Sequence, residues 1–172
     1  MILRTVGHGN RSAEELIDLL KDAGVSYIVD IRSIPHSVRF PHFASQALRS
    51  SLRKAGIDYI YMGDLLGGKP LPHEQAEDTE WKQGHLDVRL VASLRRTPRW
   101  REGLEKLATL VKDRDNADES GCLLCSESDP TKCHRSLVAL ELARELPGLE
   151  VSHLISRHRH AREEVGVQEP LM

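Results

Sequence analysis

Apolar residues recur along this chain with two periods, one typical of buried strands and one typical of amphipathic helices. Short apolar runs predict strands at residues 2–6, 27–32, 58–62, 121–125 and 150–155. Helical spacing predicts helices at residues 12–23, 45–55, 87–96, 100–114 and 134–146. Because strands and helices alternate, we expect one α/β domain over residues 1–156, with a mostly parallel central sheet of about five strands and helices on both faces. We expect the charged C-terminal tail, residues 157–172, to fray.

Composition narrows the class of protein. The formal net charge is −2 and acidic and basic residues are interleaved, so any anion binding must be local. Aromatic residues make up only 4% of the chain, which leaves few side chains for stacking on bases. The three cysteines do not form the framework of a secreted disulfide protein, and we expect a reducing cytoplasm. No apolar run approaches the roughly 20 residues of a membrane-spanning helix, so we expect no membrane partner.

Polar residues follow the predicted strands at the points where the strands end. In a parallel sheet, ligands bind at this edge, because the carboxyl ends of the strands meet there. The candidate residues are His8, Asn10 and Arg11 after the first strand, Asp30 and Arg32 at the second, and Cys125, Glu127, Cys133, His134 and Arg135 after the fourth. We therefore predict one site built from three loops.

The cysteines are the first candidates for reactive groups. Cys133 precedes a predicted helix and adjoins His134 and Arg135, an environment that favours a nucleophilic thiolate. The alternative is a small buried residue that packs the start of the helix. Cys125 ends a strand and faces either the site or the core. Cys122 lies three residues earlier, on the opposite face of that strand, and is predicted to lie in the core.

A metal site and a redox pair are two further interpretations of these residues. Cys125, Cys133 and His134, joined by His8, have the ligand types of tetrahedral zinc, but their spacing is not that of a zinc ribbon. A reversible disulfide between Cys125 and Cys133 would instead serve redox sensing. We assign no metal ligand from the sequence. It requires no cofactor and leaves zinc as an alternative.

Arginines at the same edge predict an anion pocket, because guanidinium groups and helix N-termini recognise phosphate and carboxylate. The candidates are Arg11, Arg32, Arg39 and Arg135. The alternative is ordinary pairing with nearby acids, and for Asp30 a salt bridge with Arg32 is the preferred interpretation. His8 is a candidate general acid or base, or else makes a structural hydrogen bond. The loop at residues 33–44 either closes over a substrate or is a surface loop held by its apolar residues.

The sequence resembles the bacterial and archaeal proteins grouped as domain of unknown function 488. The resemblance is carried by Gly7-His8 with Asn10-Arg11-Ser12, Val29-Asp30-Ile31-Arg32 with Pro35 and Ser37, Leu66-Gly67-Gly68, and Cys125-x-Glu127-x-x-Pro130-x-x-Cys133-His134-Arg135. It spans roughly residues 2–155 and implies no established activity. We assign Ser37, Gly67 and Gly68 to the pocket from these motifs, together with Asn10 and Asp30.

The leading functional hypothesis is a cysteine-dependent hydrolase or transferase that acts on a small or nucleotide-like anionic substrate. Cys125 or Cys133 would be the nucleophile and His8 or His134 the acid or base, with Glu127 in the same turn. A second hypothesis is a protein that binds or processes nucleic acid, based on the Arg-rich segments. A third is a metal-binding or thiol redox sensor. The sequence does not fix the oligomeric state.

Overall fold

A six-stranded sheet flanked by helices organises the computed structural model, which describes residues 1–69, 93–156 and 159–163. The strands are β1 (Ile2–Gly7), β2 (Tyr27–Asp30), β3 (Asp58–Tyr61), β4 (Gly121–Cys125), β5 (Glu150–Ser156) and β6 (Arg159–Glu163). The helices within the described ranges are α1 (Ala13–Asp22), α2 (Ser45–Lys54), the single turn α3 (Gly63–Leu66), α4 (Pro98–Asp115) and α5 (His134–Glu145). Short 3₁₀ helices, Pro41–Phe43 and Pro130–Lys132, precede α2 and α5. Most of the helix predicted at residues 87–96 lies outside the described residues.

The strand order is β3-β2-β4-β1-β5-β6. The first five strands are parallel, and β6 pairs antiparallel with β5 at the edge of the sheet. The predicted α/β fold with a mainly parallel sheet is therefore confirmed. The sequence did not predict β6, because residues 159–163 are charged and lack the apolar alternation of a half-buried strand; charged residues are common on edge strands.

Two apolar layers cover the two faces of the sheet. On one face, α1 and α2 contribute buried leucines such as Leu16 and Leu48, which pack with Ile28 of β2 and Leu124 of β4. On the other face, α4 and α5 pack against the alternate strand residues, including Leu123. The core therefore has helices on both faces, as predicted, and successive residues of β4 belong to opposite layers.

Helix starts follow from local sequence. Ser12 and Glu15 form the predicted capping box of α1, with Glu15 N–H donating to Ser12 Oγ at 3.1 Å and Ser12 N–H donating to Glu15 Oε2 at 2.7 Å. Thr97 caps α4 by accepting from Trp100 N–H at 3.3 Å, and Pro98 occupies the first helical position. These caps fix where the chain leaves the loops and joins the packed helices.

The connections that leave neighbouring strands beside β4 run to opposite faces of the sheet. β1 and β2 lead to α1 and α2 on one face, whereas β4, which lies between them, leads to α5 on the opposite face. Loops that diverge in this way leave a crevice at the carboxyl ends of the strands, where ligands of α/β proteins bind. The topology therefore directs attention to the end of β4.

Candidate functional site

The loop after β4 is held against the end of β1 by backbone hydrogen bonds. His8 N–H donates to Cys125 O and Gly9 N–H donates to Ser126 O, both at 2.9 Å. Gly7 allows this close approach, because a Cβ atom at position 7 would lie 1.6 Å from Glu127 O. The loops after β1 and β4 therefore form one unit.

Arg135 of α5 stabilises this unit from inside. Its side chain is fully buried, and it donates to Glu127 O, to Ser128 O at 3.0 Å and to Thr5 Oγ1 at 3.2 Å. Thr5 Oγ1 also lies 2.6 Å from His153 Nδ1. Arg135 thus satisfies loop carbonyls, a structural role that its sequence neighbours do not reveal.

Cys125 and Cys133 are brought together at the start of α5. Both are buried, and their sulfur atoms lie within 4.8 Å of one another. Interaction with the Cys133 thiol lowers the pKa of Cys125 below its ordinary value and outweighs the opposing effect of burial. The proximity of Cys125, followed by burial, raises the pKa of Cys133. Of the two cysteines, Cys125 is therefore the one at which the thiolate is favoured, although the helix N-terminus alone favours it at Cys133.

Cys122 lies apart from this pair. It belongs to the apolar layer under α1 and α2, on the opposite face of β4 from Cys125, and its burial raises the pKa of its thiol to about 12. The predicted core position of Cys122 therefore agrees with the structure.

His134 directs one ring nitrogen at both sulfurs. Its Nδ1 lies 3.6 Å from Cys125 Sγ and 3.9 Å from Cys133 Sγ, while its Nε2 lies 3.0 Å from Ile31 O. A carbonyl oxygen only accepts hydrogen bonds, so Nε2 carries the proton and the Nδ1 lone pair of the neutral ring faces the sulfurs. Gly68 covers the ring, since a Cβ atom at position 68 would lie 2.7 Å from His134 Cγ.

These three side chains have the donor types of a metal site. The two Sγ atoms and the ring nitrogen of His134 all lie within 4.8 Å of one another. Thiolate and imidazole are ligands of zinc and other soft divalent ions. His8, the fourth member of the ligand set considered from the sequence, is not part of this group.

His8 follows the end of β1, where its backbone N–H bonds Cys125 O, and its ring stacks on Phe43 with ring centroids 4.3 Å apart. Its Nδ1 lies 2.9 Å from Gly9 O, so this nitrogen carries the proton. Burial lowers the pKa of His8 from 6.5 to about 4. Its ring is therefore neutral near neutral pH and can accept a proton only weakly, which limits the acid or base role considered from the sequence.

Arg32 and Asp30 form a buried ion pair. Arg32 donates from Nε to Asp30 Oδ1 at 2.9 Å and from Nη2 to Oδ2 at 2.6 Å, and Tyr59 Oη donates to Oδ2 at 2.7 Å. Burial lowers the pKa of Arg32, but the hydrogen bonds and charge of Asp30 outweigh it and raise that pKa above the ordinary value. A third donor of Arg32, Nη1, bonds Phe43 O at 2.8 Å. The preferred interpretation of Asp30, a salt bridge with Arg32, matches this geometry.

Two other predicted anion-binding arginines, Arg11 and Arg39, contact groups of the protein itself. Arg11 donates to the carbonyls of Gly7 and Ile155, where it joins the ends of β1 and β5. Arg39 is exposed and lies over the Phe40 ring, 5.3 Å from the centroid. Their role in anion binding remains a prediction.

The remaining predicted pocket residues differ in exposure and in their local contacts. Asn10 is exposed, whereas Ser37 accepts from Phe40 N–H at 2.9 Å inside the loop at residues 33–44. Gly67 is buried against Ser33, and a Cβ atom there would lie 2.4 Å from Ser33 Oγ. Glu127 contributes its backbone to the site, and its side chain is half-buried.

The loop at residues 33–44 is anchored at its second half. Phe43 is fully buried beneath His8, and His42 Nε2 lies 3.0 Å from Arg11 O. The first half exposes apolar side chains, with Ile34 at 59% and Val38 at 88% relative exposure. Both interpretations from the sequence, closure over a substrate and a held surface loop, are compatible with one anchored half and one exposed half.

Sequence reasoning missed several groups that build the site. Tyr59 and Thr5 are polar residues within strands, which is a signal for a buried polar contact, but their partners are distant in sequence. The Ile31 carbonyl, which fixes the ring of His134, has no signal in a side-chain pattern.

The family model described as "Domain of unknown function DUF488" matches residues 12–142, about three quarters of the chain. The chain belongs to this family. No curated protein and no solved structure matches it. The match includes Arg32, the two glycines at 67 and 68, and the segment from Cys125 to Arg135, but not His8. Within the part of the chain that the structure describes, no helix is both long enough and apolar enough to cross a membrane.

Proposed function

We propose that the protein is an enzyme that acts on a small anionic substrate through Cys125, with His134 as its proton-transfer partner. The observation that carries this proposal is the surroundings of the Cys125 sulfur. It lies at the carboxyl end of β4, within 4.8 Å of the Cys133 sulfur and 3.6 Å from His134 Nδ1. A base within reach of a thiol whose pKa is lowered by a neighbouring group is the usual arrangement of a nucleophilic cysteine.

The reaction class is hydrolysis or group transfer through a covalent thiol adduct. The Nδ1 lone pair of His134 takes the proton of the Cys125 thiol, and the resulting thiolate attacks the electrophilic atom of the substrate. The imidazolium, whose Nε2–H is held by Ile31 O, returns the proton to the leaving group. Water or an acceptor molecule then releases the adduct, and Cys125 is regenerated.

The proposed anion recognition differs from the four-arginine clamp of the sequence interpretation. Arg32 uses three of its five N–H donors in the described hydrogen bonds, to Asp30 and Phe43, and two remain for an anion. Arg11 and Arg135 donate to backbone carbonyls and support the loops. Arg32 is therefore the preferred anion-binding residue.

Alkylation tests this proposal. The metal-free protein, prepared with chelator, is treated with iodoacetamide near neutral pH, and each cysteine is quantified by mass spectrometry of its peptide. We expect Cys125 to react fastest, and the His134→Gln variant to slow it while leaving Cys122 unchanged. If Cys125 reacts no faster than a thiol in a short unstructured peptide, the nucleophile proposal is refuted.

The nucleic-acid alternative has less support from the geometry. The net charge is −2, and Arg11, Arg32 and Arg135 are engaged inside the fold. The basic segment at residues 157–162 falls largely outside the described side chains. We also propose a cytoplasmic location, because a reducing compartment keeps Cys125 and Cys133 as thiols.

A further inference from the structure

We infer that Cys125, Cys133 and His134 form a binding site for one soft divalent metal ion, with zinc the best fit. The inference concerns regulation of the proposed active site, because a bound ion would engage Cys125 and His134 and withhold them from the covalent reaction. It rests on the proposed function only for this effect of the ion, because binding itself follows from the three donor atoms.

The spacing of the donors matches a tetrahedral zinc site. Bond lengths of about 2.3 Å to sulfur and about 2.0–2.1 Å to nitrogen give tetrahedral edges of about 3.5–3.6 Å between nitrogen and sulfur. The two observed separations from His134 Nδ1 are 3.6 Å to Cys125 Sγ and 3.9 Å to Cys133 Sγ. The two sulfurs lie within 4.8 Å of one another, against a tetrahedral edge of about 3.8 Å between them, so side-chain adjustment brings the three donors into range of one ion.

The ring of His134 is already oriented as a metal ligand. Histidine ligands usually donate their second ring N–H to a carbonyl or carboxylate, which fixes the tautomer and directs the other nitrogen at the ion. Here Nε2 donates to Ile31 O at 3.0 Å, and Gly68 leaves room for the ring in this position. The orientation is set by β2 and by the loop after α3, two elements distant from α5 in sequence.

The loop that follows Cys125 is held in place. Arg135 donates to Glu127 O and to Ser128 O, and Gly9 N–H donates to Ser126 O. The backbone beside the Cys125 sulfur is therefore fixed before an ion binds, and outer partners of this kind orient metal ligands.

Three protein ligands leave a fourth position for water or a substrate oxygen, the arrangement typical of catalytic rather than structural zinc. His8 does not supply the fourth ligand in this conformation, because it is not part of the group of donor atoms that Cys125, Cys133 and His134 form. The ligand class is therefore a soft divalent ion with one position open to water or another small ligand.

Cobalt(II) titration of the chelator-treated full-length protein tests the inference. Thiolate ligation gives sulfur-to-cobalt charge-transfer absorption, and tetrahedral geometry gives intense visible bands. We expect saturation at one equivalent and displacement by one equivalent of zinc. Cys125→Ser, Cys133→Ser and His134→Gln should each weaken binding more than about tenfold. Cys122→Ser is the matched control, because that thiol lies on the other face of β4, and it should bind like the parent.

Circular dichroism and urea unfolding of each variant show whether it is folded, and His134→Gln retains both thiols if a serine variant fails to fold. Absence of charge-transfer absorption in the folded parent protein would overturn the inference, as would equal loss of binding in Cys122→Ser. Fast alkylation of Cys125 without metal binding would refute the metal site and leave the proposed function standing. Metal binding without enhanced alkylation of Cys125 in the metal-free protein would support the metal site and refute the proposed function.

Discussion

The Asp30–Arg32 pair is the polar contact whose loss should destabilise the fold most clearly. Asp30 is fully buried, and its carboxylate accepts four hydrogen bonds, three from the backbone and side chain of Arg32 and one from Tyr59. Asp30→Asn keeps the shape of the side chain but removes its charge. The Arg32 guanidinium, with only 3% of its side chain exposed, would then remain buried without a counterion.

We expect this substitution to reduce the free energy of unfolding by about 3–5 kcal/mol, the range measured when one partner of a buried pair is removed. Typical domains have only about 5–15 kcal/mol in total, so the variant should be close to unfolding. The effect arises from leaving the Arg32 charge uncompensated. Asp30→Asn combined with Arg32→Gln should therefore recover part of the loss.

Urea unfolding followed by circular dichroism measures these differences. Glu102→Gln is the matched control, because Glu102 pairs with Lys106 on α4 with side chains 54% and 56% exposed. We expect that control to change the free energy of unfolding by less than about 0.5 kcal/mol. A loss below about 1 kcal/mol for Asp30→Asn, or a double variant less stable than Asp30→Asn itself, would refute the reasoning.

Two further predictions concern the histidines and their neighbours. Gly68→Ala places a Cβ atom 2.7 Å from His134 Cγ, so the ring must move. We expect the free energy of unfolding to fall by about 1–3 kcal/mol and the affinity for cobalt(II) to fall more than tenfold. An unchanged affinity would contradict this prediction. The pKa of His8 is about 4 in the folded protein and 6.5 in the unfolded chain. Neutral His8 therefore contributes to the free energy of unfolding above pH 6.5, and this contribution, at most about 3 kcal/mol, is lost as the pH falls towards 4. Urea unfolding of the metal-free protein at several pH values measures this effect. The His8→Asn variant should lose less stability on acidification than the parent protein, whereas His36→Asn, a control at an exposed histidine, should follow the parent. The same dependence of stability on pH in all three proteins would contradict the prediction.

The elements that carry the chemistry were the easiest to predict. Residues 121–125 form β4 as expected, because a continuous apolar run between a glycine and a polar loop indicates a buried strand. Successive side chains of a strand point to opposite faces of the sheet, and this rule predicted that Cys122 and Cys125 lie on different faces of β4. The start of α5 at His134 also agrees with the sequence, so the convergence of Cys125, Cys133 and His134 follows from two local patterns and the sheet rule.

The roles of individual side chains within the site depended on tertiary partners. Arg135 looks like an anion ligand beside Cys133, but the fold places the carbonyls of Glu127 and Ser128 within its reach. A helix N-terminus favours a thiolate at Cys133, yet the strand places the Cys125 sulfur within 4.8 Å, and this neighbour raises the pKa of Cys133. His8 is neutral because Phe43, 35 positions later in the chain, covers its ring. None of these contacts is encoded by neighbouring residues.

Alkylation of all three cysteines in one sample, with and without one equivalent of zinc, tests most directly whether Cys125, Cys133 and His134 form a single reactive centre. In chelated protein we predict that iodoacetamide modifies Cys125 first and Cys122 last. Zinc should protect Cys125 and Cys133 together and leave Cys122 unchanged, and His134→Gln should weaken that protection. Equal reactivity of Cys125 and Cys122 in the chelated protein, with no change on adding zinc, would contradict the account.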